Sequence, residues 1–238
     1  MSDPAATLTF DPIMRSPLHR AHELLGATFA QDGDWEYAVS YGGDAGQAGT
    51  HALAEGIGVA DITARGKVDL RGSIGDLFAR IARTSEGWEP GTIVPIEPAP
   101  SEEHPGLIAP ISDRWAILFC PPPSLDTRME ELDRPSSGAA SMVTEVSSQY
   151  AGIALAGPKT FDLLERLTSF DLRGLEPDVC IATRALELTA IMLRREPVVE
   201  LWVSASSARY AWEAVLHAGA RLGAAPVGRD ALSALGWW

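Results

Sequence analysis

Residues 146–158, Val-Ser-Ser-Gln-Tyr-Ala-Gly-Ile-Ala-Leu-Ala-Gly-Pro, constrain the fold of this chain more than any other stretch. Small or polar residues alternate with apolar ones and the run breaks at Gly157-Pro158, the pattern of a strand entering a turn. An amphipathic helix is expected next, over 159–170. Residues 57–72 repeat the arrangement: an extended apolar run ends at Gly72, and a helix over 73–83 puts Ile74, Leu77, Phe78 and Ile81 on one face. The chain therefore reads as two strand-to-helix units, each supplying half of one compact body.

Composition narrows the function. With 238 residues, 46% apolar and 21% charged, the chain can bury a core without disulfide or metal staples. Its net charge of −13 argues against a nucleic-acid partner, because phosphate contacts need clustered Lys and Arg. A local positive pocket for an anionic ligand stays open. Cys120 and Cys180 lie far apart in apolar settings without metal-binding spacing, so buried thiols in a reducing compartment are expected and no zinc site. Residues 1–11 lack a basic segment followed by an apolar one, and no run approaches the roughly 18–20 apolar residues of a membrane span. The expectation is a cytoplasmic protein with no membrane association.

Taken in order, residues 1–15 read as a flexible lead. Ser16-Pro17 starts a helix with Leu18, Ala21, Leu24 and Leu25 on its apolar face, ended by Gly26. His19 and His22 share that helix; without a third ligand they read as surface residues. Residues 35–41 alternate, with Trp35, Tyr37, Val39 and Tyr41 on one side of a strand. Residues 42–49 read as a flexible Gly-rich turn before a short helix at 50–55. The link Ala64-Arg65-Gly66 suggests a hairpin between strands at 59–63 and 67–70. A second hairpin is expected from 107–111 and 115–120, and a helix from 125–132. The Pro- and Glu-rich segment 97–105 reads as disordered, and 135–141 as the linker between a first lobe (16–134) and a second (143–238). The second lobe, with strands at 143–155, 184–193 and 198–203, has the β-α-β-β-α order of a split βαβ, or ferredoxin-like, pattern. Its long helix, 206–222, has Tyr210, Trp212, Ala214, Val215 and Leu216 near the buried side.

Six segments resemble the glycine cleavage system T protein, or aminomethyltransferase, family in the family's order. They are Ser16-Pro17-Leu18-His19 with Gly26-Ala27-Thr28-Phe29; residues 35–41 against a Trp-x-x-x-Val-x-Tyr segment; Gly58–Thr63 with Gly66-Lys67-Val68 against an Asp-Val-Ser hairpin; Leu155–Lys159 against a Leu-x-Gly-Pro turn; Glu200-Leu201-Trp202-Val203 with residues 212–216; and Gly228-Arg229-Asp230-Ala231-Leu232. The resemblance spans 16–236. It implies an α+β fold of two intertwined lobes of antiparallel sheet plus helices, the second lobe ferredoxin-like, around a folate-sized hole.

For function, the resemblance implies a tetrahydrofolate-binding protein that moves a one-carbon group between an amine donor and the folate. Glu200 stands where the family has a glutamate bonded to the pterin; a carboxylate there can accept paired N–H donors, though the residue can also be read as an outward-facing strand Glu. Thr84-Ser85-Glu86 matches the family's Thr-Asn-Asp, which makes Glu86 the candidate catalytic carboxylate, one methylene longer than the aspartate. Arg194, Arg195 and Arg229 are candidates for the anionic glutamate tail of the folate, or solvated charges. The family's Gly-Tyr-Thr-Gly-Glu and Gly-Gly-x-x-Asp-Asp segments have no counterpart, and neither does the C-terminal domain of full-length T proteins. These departures resemble the sarcosine oxidase gamma subunit, a non-catalytic part of a folate-linked complex, and make a structural subunit the alternative. Trp237-Trp238 is then either folded back on the body or an interface with a partner subunit or a second copy.

Overall fold

A computed structural model describes residues 13–81, 88–98, 105–133 and 141–237. In chain order the elements are β1 (Met14–Arg15), α1 (His19–Leu24), β2 (Ala27–Asp32), β3 (Trp35–Tyr41), α2 (Gly43–Glu55), β4 (Ile57–Asp61), β5 (Gly66–Arg71), α3 (Ile74–Ile81), β6 (Val94–Pro95), β7 (Leu107–Ser112), β8 (Trp115–Cys120) and α4 (Leu125–Asp133). There follow β9 (Met142–Glu145), β10 (Tyr150–Ala156), α5 (Thr160–Leu167), β11 (Val179–Ala185), β12 (Leu188–Arg195), β13 (Val198–Ser204), α6 (Ala208–Gly219), β14 (Ala224–Pro226) and α7 (Arg229–Ala234).

Two sheets stack face to face. One has the order β11-β12-β13-β10-β4-β14, the other β6-β7-β8-β5-β9, and a small sheet β1-β3-β2 stands beside them. Period-two alternation gives each strand two jobs. In β10, Ala151, Ile153 and Leu155 pack under α5 and α6 with Leu163, Leu164 and Trp212, while Ala154 and Ala156 face the second sheet. On that sheet Ala109, Ile117 and Phe119 face inward; Val68, Leu70, Ile108 and Leu118 lie under α3 and α4 with Ile74, Leu77 and Phe78. The result is an α/β/β/α stack with three apolar layers. It is the two-lobed α+β arrangement with antiparallel sheets expected from the sequence. Within the larger sheet, β12-β13-β10-β14 keeps the split βαβ order, with β4 inserted between β10 and β14. Conversely β9 pairs with β5, so each sheet takes strands from both halves of the chain.

Several local expectations are corrected. Residues 57–70 are not a hairpin: β4 pairs with β10 and β14, whereas β5 pairs with β8 and β9, so the link between them crosses from one sheet to the other. The stretch 42–49 is not a loose turn but the first two turns of α2. Its Gly49 serves packing, since a Cβ there would stand 2.7 Å from the Pro226 carbonyl oxygen. Strand β3 buries Trp35, Ala38 and Tyr41; a register shift opposite Thr28/Phe29 puts an extra residue, Val39, into β3, so that Ala38 and Tyr41 share a face. Helix α1 starts at His19 and buries His22, leaving Leu24 exposed; Tyr210 of α6 is exposed too. The hairpin β7–β8 and helices α3 to α6 fall where the sequence puts them. Residues 1–12, most of 97–105 and all of the expected linker 135–141 but Ser141 lie outside the described residues.

Candidate functional site

The three inward positions of β13 are Val198, Glu200 and Trp202, and Glu200 brings a carboxylate into the layer between the sheets, where it is 0% exposed. An ionised carboxylate in such a place must be neutralised and fully hydrogen-bonded. Arg65 Nη1 donates to Oε1 at 3.2 Å and to Oε2 at 3.4 Å. Arg195 Nη1 donates to Oε1 at 3.3 Å, and the Trp202 indole N–H donates to Oε2 at 2.8 Å.

Arg65 comes from the link between β4 and β5, which crosses between the sheets. Lys67 fastens it: its ammonium donates to the carbonyls of Thr63 at 2.7 Å and Arg65 at 2.8 Å. The Lys67 side chain is wholly buried, 5.0 Å above the Trp202 ring and 5.6 Å above that of Trp35. Burial pulls its pKa down to about 7, against the pull of Asp61 in the other direction. Burial also lowers that of Arg65, opposed by the Glu200 charge.

Above this centre is a cavity of about 170 Å³, lined by Arg65, Arg195, Arg229, Trp237, Pro105, Pro121 and Gly236. Trp237 covers both guanidinium groups, 5.6 Å from Arg65 and 5.7 Å from Arg195, so this indole is folded back onto the body. Trp238 lies outside the described residues. Arg229 opens α7, pairs with Asp32 at 2.9 Å and lies over the Tyr37 ring at 4.3 Å. Among the described residues, the three arginines set against the carboxylates of Glu200 and Asp32 leave the lining net cationic, in a chain whose own charge is −13.

Of the residues singled out in the sequence, the structure brings together Glu200, Arg195 and Arg229. Arg194 is one residue out of phase with Arg195 and so lies on the opposite face of β12. There its guanidinium bonds the carbonyls of Leu172 (2.9 Å) and Arg173 (3.2 Å), pairs with Glu196 and lies over Phe161. Glu86 falls outside the described residues. Burial rules out the reading of Glu200 as an outward-facing strand residue. Sequence reasoning misses Arg65 and Lys67; the available signal is two cations two residues apart between the apolar runs 57–62 and 68–70.

A second polar group lies on the other face of the larger sheet. Asp61 Oδ2 is 3.0 Å from His22 Nε2, and His22 Nδ1 is 2.7 Å from the Tyr41 hydroxyl. In the neutral imidazole, Nε2–H donates to the carboxylate and Nδ1 accepts from the hydroxyl. Burial would raise the pKa of Asp61, but bonds from His22, Ser16 and Thr63 outweigh it and hold the carboxylate below its ordinary value. His22 is thus a core residue tying α1 to β3 and β4, not a surface one. Among the described residues no group of three or more His, Cys, Asp or Glu is placed to hold a metal. Cys120 and Cys180 are both buried, and burial pushes Cys180 up to about 12. No helix among the described residues is long and apolar enough to cross a membrane.

The fold and centre can now be set beside known proteins. A family model described as the GCVT N-terminal domain matches residues 124–236. The chain is 28% identical over 239 residues to the aminomethyltransferase of Saccharopolyspora erythraea, covering 92% of this chain and 62% of that protein. It is 26% identical over 235 residues to that of Desulforamulus reducens, covering 94% and 63%. The chain's similarity is to the aminomethyltransferases. It spans less than two thirds of their length. Among solved structures, glycine cleavage system aminomethyltransferase T from Bartonella henselae superposes with a TM-score of 0.78 at 16% identity, over 94% of this chain and 62% of that one. A chain of heterotetrameric sarcosine oxidase from Corynebacterium sp. U-96 gives 0.61 at 15% identity, over 90% of this chain and 98% of that one. The fold is that of the aminomethyltransferase folate-binding proteins.

Proposed function

We propose that this aminomethyltransferase-like chain serves one-carbon amine metabolism as a structural subunit, and that its buried ionic centre holds the fold together without doing chemistry. The state of Glu200 carries this reading. Its two oxygens already accept from Arg65, Arg195 and Trp202, and none of its surface is exposed. Tetrahydrofolate, which the resemblance implies, does not fit this arrangement as it stands. A pterin would need the edge of Glu200 that Arg65 occupies, and the cavity of about 170 Å³ is smaller than the ~300 Å³ at which small-molecule pockets usually begin.

The cationic lining favours a second reading, in which a folate-type ligand enters by its anionic tail. Arg195 and Arg229 would hold its carboxylates, and the head group would reach Glu200 only after Arg65 turned away. Arg194, on the far face, takes no part in either reading. Calorimetric titration with tetrahydrofolate decides between them. No heat at high ligand concentration is the outcome expected of a structural subunit. Micromolar binding by the wild type, lost in Glu200→Ala, would establish the second reading. A strictly monomeric protein with no co-purifying subunit in its source cell would count against a role in an assembly.

A further inference from the structure

The occupant of the Glu200 site is a side chain whose chemistry describes the ligand the site is built for. We infer that Arg65 is an internal ligand, and that without it the Glu200 pocket is a binding site for small planar cations carrying N–H donors, of the guanidine and amidine class. This rests on the structural reading of the centre and goes further by assigning the pocket a ligand chemistry.

Three independent features define the site. Glu200 is fixed without help from Arg65: Trp202 N–H holds Oε2 at 2.8 Å and Arg195 holds Oε1 at 3.3 Å. The carboxylate is therefore a preformed acceptor, positioned on the middle strand of a sheet. The space over it has aromatic walls, since the Arg65 guanidinium carbon lies 5.8 Å from the Phe119 ring centre and 5.6 Å from that of Trp237. Flat, weakly hydrated cations gain from such faces, and a guanidinium suits them better than an ammonium. Finally, Arg65 enters from a link held by Lys67 through backbone carbonyls, so the tether of the guanidinium is separate from the pocket that receives it. Cutting Arg65 back to Ala removes the plug and leaves the acceptor, the donor that fixes it and the aromatic walls in place.

The probe is methylguanidine at millimolar concentration, with methylammonium at the same ionic strength as control. In Arg65→Ala, methylguanidine is expected to raise Tm and to quench tryptophan fluorescence saturably, through Trp202 and Trp237, while methylammonium does neither. Wild type should show no saturable response, and Arg65→Ala with Glu200→Gln should lose it. If Arg65→Ala fails to fold, Arg65→Lys is read instead. Its point charge leaves the planar slot unfilled, so saturable quenching by methylguanidine, absent from the wild type, is again expected. Equal responses to the two cations, or none, overturn the inference while leaving the structural reading intact. Tetrahydrofolate binding by wild type would overturn that reading itself.

Discussion

Arg65 and Glu200, 135 residues apart in sequence, bring opposite charges to 3.2 Å in the layer between two sheets. The pair ties the link that crosses from the larger sheet to the smaller one back to a strand in the middle of the larger sheet. Attraction between buried charges is offset by the cost of taking both out of water, so the pair itself need add little to stability. Breaking it is another matter. Glu200→Leu leaves the Arg65 guanidinium buried without its carboxylate and the Trp202 N–H without an acceptor, and should cost about 3–5 kcal/mol. Arg65→Leu combined with Glu200→Leu should recover the share due to the stranded guanidinium, because Arg195 is part-exposed and can turn to water, while the Trp202 N–H stays without its acceptor and about 1–3 kcal/mol remains lost. Urea denaturation of the two singles and the double measures the coupling. Simple additivity would mean that the two charges do not depend on one another.

Lys67 makes stability depend on pH. Its folded pKa is about 7 against an ordinary 10.5, so between those values the unfolded chain binds more protons than the folded one. Stability therefore rises with pH above 7, by at most about 1.4 kcal/mol per unit for one group. Cys180 acts in the opposite sense above its ordinary value of 9.0, because its folded thiol stays protonated up to about 12. The clean window is thus pH 7 to 9. Urea midpoints across it should rise in wild type and stay flat in Lys67→Met. The variant also leaves two carbonyls short of a donor, at about 1–3 kcal/mol each, but that cost does not change with pH in this window. A slope that survives the substitution would exclude Lys67 as its source.

How much of this was legible in the sequence depended on whether the signal was local. The helix α3 and the hairpin β7–β8 are read from their own residues, because burial of Ile74, Leu77, Phe78 and Ile81 follows from a 3.6-residue period. The crossing of β4 and β5 into different sheets is invisible in 57–70, since two short apolar runs about a Gly look the same as a hairpin. The partner of β4 is β10, about ninety residues on. The Glu200 position was found by resemblance, but its ion pair needed that crossing, and so Arg65 was missed along with it. Strand phase separates Arg194 from Arg195 once the ends of β12 are known, yet two adjacent arginines in a sequence look equivalent.

The Tyr41–His22–Asp61 chain should grade its losses by charge. Tyr41→Phe removes one neutral hydrogen bond and keeps the ring against His22, so a loss of about 1 kcal/mol is expected. Asp61→Ala strips both His22 and the Thr63 N–H of their acceptor and should cost more, about 3 kcal/mol. Because Asp61 is held below its ordinary value of 3.8, its contribution is complete above that pH and is lost as pH falls through the folded value. Acid unfolding of Asp61→Asn should accordingly be less steep below pH 4 than that of wild type. Equal acid profiles would show that the carboxylate does not control this end of the pH range.

Gly152 on β10 tests whether the indole that fixes Glu200 has room to move. It pairs with Trp202 across the strands, and a Cβ on residue 152 would stand 2.5 Å from the Trp202 ring. Neither partner can yield cheaply: β10 is paired on both sides, by β13 and β4, and Trp202 is 0% exposed against Phe119 at 4.7 Å. Gly152→Ala should therefore tilt the indole away, lengthen its bond to Glu200 and cost about 1–3 kcal/mol by overpacking. The same variant should weaken the hold on Glu200 that the methylguanidine response of Arg65→Ala depends on, so adding Gly152→Ala to that variant should reduce its quench amplitude. An unchanged unfolding midpoint together with an unchanged quench would show that the layer between the sheets has slack at Trp202 and that Glu200 does not owe its position to this side chain.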